Sequence, residues 1–150
     1  MFALGALPPT ATAQDSSYIR VPNEVPEMAD AKAKARATLS RFWEKMDKPG
    51  PDEEGFALKV GIPYGGNNSE HIWTSYIERK DGRIFGVIDN VPRDVKTIRV
   101  GQRIEIADAQ ISDWMYRRAG KIVGGYTIRP LLKRMPPEEA ARFRAMLAEP

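Results

Sequence analysis

Phe56-Ala57-Leu58-Lys59-Val60-Gly61-Ile62 alternates large apolar residues with small or polar ones. A period of two is that of a strand with one face buried. Pro63 to Asn68, rich in Gly and Asn, supplies a turn or short loop. His71 to Arg79 then predicts a second strand, carrying Ile72, Trp73, Tyr76 and Ile77. Lys80-Asp81-Gly82 predicts a tight hairpin, because Asp-Gly accepts the left-handed backbone of a two-residue turn. Arg83 to Asp89 predicts a third strand. Three strands joined by short turns make an antiparallel meander.

Upstream, Glu27 to Asp47 predicts one helix. It is rich in Ala, Lys, Arg and Glu. Ala31, Ala35, Leu39, Phe42, Trp43 and Met46 recur at three- and four-residue steps, which makes one apolar stripe. Pro49-Gly50-Pro51 ends it. Downstream, Arg103 to Ala107 predicts a short strand, and Ile111 to Tyr116 fits a strand or an irregular turn. Lys121 to Arg129 predicts a last strand, broken by Gly124-Gly125 where a bulge or a close approach is expected. Pro136-Pro137-Glu138-Glu139 opens a C-terminal helix, since proline and acids both suit a first turn. The fold class expected is α+β: an N-terminal helix packed on a curved antiparallel sheet of about five strands, with a short C-terminal helix. A small open barrel and a plain two-layer sandwich fit equally.

Composition sets the outer bounds. The chain has 150 residues, 42% hydrophobic and 29% charged, enough to build one core. It contains no cysteine, which removes disulfides, thiol nucleophiles and thiolate metal sites. His71 is the only histidine, so two-histidine catalysis and most histidine metal sites are removed as well. No stretch approaches the roughly 18 apolar residues of a membrane span. Residues 1–13 end in Ala11-Thr12-Ala13, small residues where a signal peptidase cuts, and a polar stretch follows. We read them as the remnant of a signal peptide, with a start upstream of Met1 as one explanation for the short apolar part and the missing basic region, and residues 14–27 as an extended linker. Residues 28–150 then form one domain. The expected location is periplasmic or secreted; the alternative is an Ala/Pro-rich tail on a cytoplasmic protein.

Three constellations carry candidate chemistry. Ser112-Asp113-Trp114-Met115-Tyr116 sets a carboxylate beside two aromatics. Buried, such a carboxyl can serve as an acid or base; equally, it can hold backbone N–H groups in a turn with Trp114 in the core. Gly124-Gly125-Tyr126 offers a backbone nest for an anion. From Trp114 to Met135 there are six basic residues and no acids, against a net charge of +3 for the whole chain. That excess points to an anionic partner, a protein or an envelope component, or simply to a solvated face. Glu70-His71-Ile72-Trp73 places the histidine on a strand with Trp73 and Ser75 on its face. No G-x-S-x-G and no phosphate-loop pattern stands anywhere in the chain.

The same stretches carry a family resemblance. Residues 33–39 with Phe42-Trp43, residues 54–60, Glu70-His71-Ile72-Trp73, residues 111–116 and residues 120–127 together resemble the YegJ-like bacterial family, DUF2314. The resemblance implies small bacterial proteins, some with an export signal. It supplies no activity and no catalytic residues. Its signature residues here are His71, Trp73, Asp113, Trp114, Tyr116, Gly124, Gly125 and Tyr126.

The expected function is a non-catalytic exported binding module with a basic and aromatic surface. That surface comprises His71, Trp73, Asp113, Trp114, Tyr116, Arg117, Lys121, Gly124, Gly125, Tyr126 and Arg129. No cofactor, metal or nucleic acid is expected. The alternatives are a small hydrolase-like enzyme using Asp113 and His71, which needs the two within hydrogen-bond reach, and a purely structural domain.

Overall fold

The computed structural model describes residues 25–149. The leader and most of the linker expected from the sequence lie outside the described residues. Pro26, assigned to the linker above, instead opens the first helix, α1 (Pro26–Ala37), where proline suits the first turn, and Glu27 is helical as the Glu27–Asp47 reading has it. A second helix, α2 (Leu39–Asp47), follows at once.

The single helix expected over Glu27–Asp47 is therefore two, divided at Thr38. Its backbone leaves the helical region (φ −109°, ψ 5°), and its hydroxyl donates back to the Lys34 carbonyl at 2.8 Å. The Ala35 carbonyl, which a continuous helix would use to accept from Leu39, accepts instead from Trp114 Nε1 at 3.0 Å. A residue far along the chain thus sets a local break, which helix propensity cannot report.

Among the described residues, six strands form one open antiparallel sheet. They are β1 (Glu53–Gly65), β2 (Asn68–Lys80), β3 (Arg83–Ile88), β4 (Arg103–Ile106), β5 (Ile111–Arg118) and β6 (Lys121–Gly124). Their spatial order is β4-β3-β2-β1-β5-β6. Six replaces the five or so expected, because Ile111–Tyr116 is a strand rather than a turn. Asp81 and Gly82, with φ of 53° and 73°, make the hairpin turn that the dipeptide predicts.

The expected strand Lys121–Arg129 stops at Gly124. Gly124 and Gly125 take φ of 84° and 63° and turn the chain away. It continues into α3 (Ile128–Leu132) and, after another turn, α4 (Pro137–Met146).

The sheet is covered on both faces at its β1-β5-β6 end. Leu58, Val60, Ile111, Trp114 and Tyr116 point to one face and pack with Ala35, Leu39 and Phe42 of the first two helices. Phe42 and Trp114 are 0% and 1% exposed. Each such side chain stabilises by roughly 1.5–3 kcal/mol relative to exposure. Trp73 and Ile122 point to the other face, against Ile128, Leu131, Leu132 and Met135. Met28, at the start of α1, joins this second cluster. β6 pairs with Met115 to Arg118 of β5, and on its other side Ile122 bridges to Leu147 and accepts from Ala148 N–H at 2.8 Å. Beyond it α1 lies along β5, and Arg36 donates to the Ile111 carbonyl at 2.9 Å.

Candidate functional site

The register between β1 and β5 shifts between Lys59, opposite Asp113, and Val60, opposite Ile111. Ser112 is the extra residue of a bulge, and bulges redirect side chains. Asp113 is 0% exposed. Its carboxylate accepts four hydrogen bonds, from the N–H of Trp114 (2.8 Å), Tyr126 (3.1 Å) and Thr127 (2.8 Å) and from the Thr127 hydroxyl (2.6 Å). Burial pushes its carboxyl above the ordinary range, while the Thr127 donors and the Lys59 charge oppose that shift. Lys59 Nζ itself donates to Thr127 Oγ1 at 3.2 Å and lies 5.7 Å from the centre of the Trp73 ring.

Gly124 and Gly125 complete this arrangement. Gly125 N–H donates to the Trp114 carbonyl at 2.8 Å. The Gly124 Cα comes so close that a Cβ would stand 2.4 Å from that carbonyl oxygen and 2.7 Å from the indole. The expected anion nest is thus occupied from within: the amides after the glycines hold Asp113, a residue of the same chain.

His71, on β2, is directed at Ser112 and Lys32 and makes no hydrogen bond to Asp113. Gly61 stands opposite it, and a Cβ there would be 3.1 Å from the imidazole. His71 Nδ1 is 2.9 Å from Ser112 Oγ, and Nε2 is 3.3 Å from Lys32 Nζ. An ammonium only donates, so Nε2 is the acceptor and Nδ1 carries the proton. Nδ1–H then donates to Ser112 Oγ, whose own proton is directed to the Lys59 carbonyl at 3.3 Å. A histidine that activates a serine must accept its proton; here the roles are reversed. The pairing of Asp113 with His71 required by the hydrolase alternative does not form, and Asp113 spends its lone pairs on four donors.

Burial, with the charges of Lys32 and Lys59 added, lowers the His71 pKa from 6.5 to about 4. The unfolded chain then binds a proton that the folded chain refuses. Stability contributed in this way is full above about pH 6.5 and is lost as the pH falls toward 4. Between pH 7 and pH 5 we expect a loss of about 2 kcal/mol in urea unfolding, from the shift and the linkage relation. His71→Asn should flatten that slope. Because the chain has one histidine, its ring resonances give the folded pKa directly, and a value near 6.5 would refute the assignment.

The remaining residues of the expected surface do not share one face. Trp114 and Tyr116 are core residues, 1% and 3% exposed. Tyr126 is half-buried and packs edge-on against Trp114, with ring centres 5.7 Å apart. Arg117 and Lys121 are exposed, and Lys121 reaches the Ala145 carbonyl. Arg129 lies on α3 rather than on a strand and donates to the Ala148 carbonyl at 2.9 Å. The aromatic part of that surface is therefore interior packing, and its basic part is what faces solvent. Arg129 and Arg144 flank a shallow depression of about 280 Å³ floored by Leu132 and Leu147.

Comparison with known proteins gives the family. The family model described as "Uncharacterized protein conserved in bacteria (DUF2314)" matches residues 25–148. The chain belongs to the DUF2314 family. "Uncharacterized protein YegJ" of Escherichia coli K12 is 43% identical over 120 residues, 80% of this chain and 76% of that one. A protein of Neisseria meningitidis serogroup B described as a putative ankyrin repeat protein is 28% identical over 136 residues, 85% of this chain and 53% of that one. No solved structure matches. Among the described residues of this DUF2314 chain, no helix is long and apolar enough to cross a membrane.

Three polar residues of this DUF2314 site escape a reading by motif: Lys32, Lys59 and Thr127. Lys59 falls on the alternation position that reads as the solvated face of β1. The signal that was available is the spacing of Ile128, Leu131, Leu132 and Met135. It is helical, and it means that a second apolar layer lies over that face.

Proposed function

We propose that this chain is a non-catalytic, exported binding module whose partner is the acidic surface of another protein. The observation that carries the reading is the charge distribution. Residues 117–150 hold eight basic and three acidic residues, although the whole chain is only +3. Two of those eight are ion-paired within the chain, Arg118 to Glu53 at 3.0 Å and Lys133 to Glu27 at 3.0 Å, and Lys121 and Arg129 donate to backbone carbonyls. Arg134, Arg142 and Arg144 are exposed around the α3–α4 end. Such a field attracts an acidic partner and speeds the encounter.

Two further points support the reading. The polar residues that most resemble catalytic groups, Asp113 and His71, are engaged with partners inside the fold. In the Neisseria relative, described as a putative ankyrin repeat protein, the matched region is about half of a longer chain, as expected of a module that combines with other sequence.

The test is fluorescence anisotropy with a labelled poly-glutamate peptide at low and at physiological salt. We expect saturable binding that weakens with salt, and at least a tenfold loss in Arg142→Glu/Arg144→Glu, a surface change that leaves the melting temperature in place. Equal binding by that variant, or none by the native chain, would refute the proposed surface. Export is checked separately, by N-terminal sequencing of protein from its own source. A start at Gln14 agrees with cleavage after Ala13, and an intact Met1 in the cytoplasmic fraction would overturn it.

A further inference from the structure

We propose that two copies of this chain associate through β4, continuing one antiparallel sheet across a two-fold axis at Ile104. β4 is the terminal strand, and among the described residues nothing pairs with its outer side. The direction of its backbone groups follows from one bond. Ile88 N–H donates to the Gln102 carbonyl at 2.9 Å. Along a strand the hydrogen-bonding direction alternates, and β3 and β4 stay in register from Val87/Arg103 to Ile84/Ile106. Ile104 and Ile106 therefore bond to β3, and the N–H and C=O of Arg103 and Glu105 point outward.

The ends of this edge are already closed. Gly101 N–H turns inward to the Ile88 carbonyl at 2.9 Å, and at the other end Ala107 N–H donates to Gln110 Oε1 at 2.8 Å while its carbonyl accepts from Gln110 N–H. That leaves four outward groups, two on Arg103 and two on Glu105. A second β4 laid antiparallel with Ile104 facing its own copy satisfies all four. Each Arg103 then exchanges two backbone hydrogen bonds with a Glu105 of the other chain.

The side chains select that register. Residues opposite each other in an antiparallel pair share a face, so each Arg103 side chain meets a Glu105 carboxylate. Centring the axis on Arg103 or on Glu105 would set like charges opposite, which is unfavourable. Within one chain Arg103 already reaches Glu78 (3.3 Å) and Glu105 reaches Arg83 (2.6 Å). The dimer extends these into an alternating row: Glu78, Arg103, then Glu105 and Arg83 of the second chain. A two-fold contact of this kind closes on itself and does not propagate into a fibre. β4 and β6 are opposite edges of the sheet, so the basic α3–α4 ends stay outside the contact.

Sedimentation equilibrium of the full chain over a concentration series tests this. We expect a reversible monomer–dimer equilibrium. Glu105→Pro removes an outward N–H and spares the bonds to β3; at an edge strand proline is tolerated. It should weaken association at least tenfold while the circular dichroism spectrum keeps its native form. Arg103→Glu should weaken it too, and Arg103→Glu/Glu105→Arg should restore it, because the swap recreates opposite charges across the axis. A native chain that stays monomeric at the highest concentration would overturn the proposal. So would a folded Glu105→Pro that dimerises as the native chain does, or a double variant no better than the single one.

Discussion

Gly124→Ala should remove a large part of the chain's stability. Two costs combine at this position. Its φ of 84° lies in the left-handed region, which costs an L-residue roughly 1–2 kcal/mol. The new methyl would also stand 2.4 Å from the Trp114 carbonyl oxygen and 2.7 Å from two carbons of the indole. Neither neighbour can yield. The carbonyl accepts from Gly125 N–H, and the indole is held by Ala35 at 3.0 Å and stacked on Tyr116. Moving the strand instead breaks the amide donors of Asp113. We expect a loss of about 4 kcal/mol or more, a large part of the 5–15 kcal/mol that holds a typical domain. Gly120→Ala is the matched control. It has φ of 77° and open space around it, so it should lose only the conformational share, about 1–2 kcal/mol. Urea unfolding of the pair separates the two terms, and equal losses would mean that the contact with Trp114 costs nothing.

The sequence reveals the two kinds of structure that local patterning controls. The alternation in Phe56–Ile62 and the Asp81-Gly82 turn place β1 to β3, because strand period and turn dipeptide act over a few residues. What stays hidden depends on distant contacts. Thr38 looks like an ordinary helix position until Trp114 takes the Ala35 carbonyl. Lys59 looks solvated until α3 lies over it. Residues 125–129 look like the end of a strand, because Tyr126, Thr127 and Ile128 favour one. Their backbone is instead set by a carboxylate contributed from β5. The same limit governs the site. A dense run of unusual residues marks Ser112–Tyr116 as special, and that much is legible. Whether Asp113 faces a ligand or its own chain depends on where the amides of Tyr126 and Thr127 arrive, which spacing alone does not fix.

Asp113→Ala tests that last point most directly. The aspartate, itself 0% exposed, gathers three N–H groups, one hydroxyl and, through Thr127, the Lys59 ammonium around it. Removing the carboxylate leaves these donors without their acceptor and leaves Lys59 without its nearest opposite charge. Breaking a buried charge from its partners costs about 3–5 kcal/mol, which at this chain length corresponds to a fall of roughly 6–20 °C in Tm. Asp113→Asn should fall short of the native protein as well. It keeps one acceptor oxygen for Trp114 and Tyr126 but sets an amide N–H against the Thr127 donors. Thr127→Val removes the hydroxyl's bonds to Asp113 and from Lys59 but keeps the N–H bond to Asp113, and the Asp113→Ala/Thr127→Val double variant should lose less than the sum, because both changes break the same contact. Hydrogen exchange gives the spatial readout: the amides of Tyr126 and Thr127 should lose protection first, and α3 should loosen with them, carrying Arg129 out of its bond to Ala148. Loss of partner binding in this variant would then follow from disorder at α3 rather than from any contact made by Asp113. A stability change within about 0.5 kcal/mol, the range of an ordinary surface substitution, would show instead that the carboxylate is dispensable to the fold and free to serve a ligand.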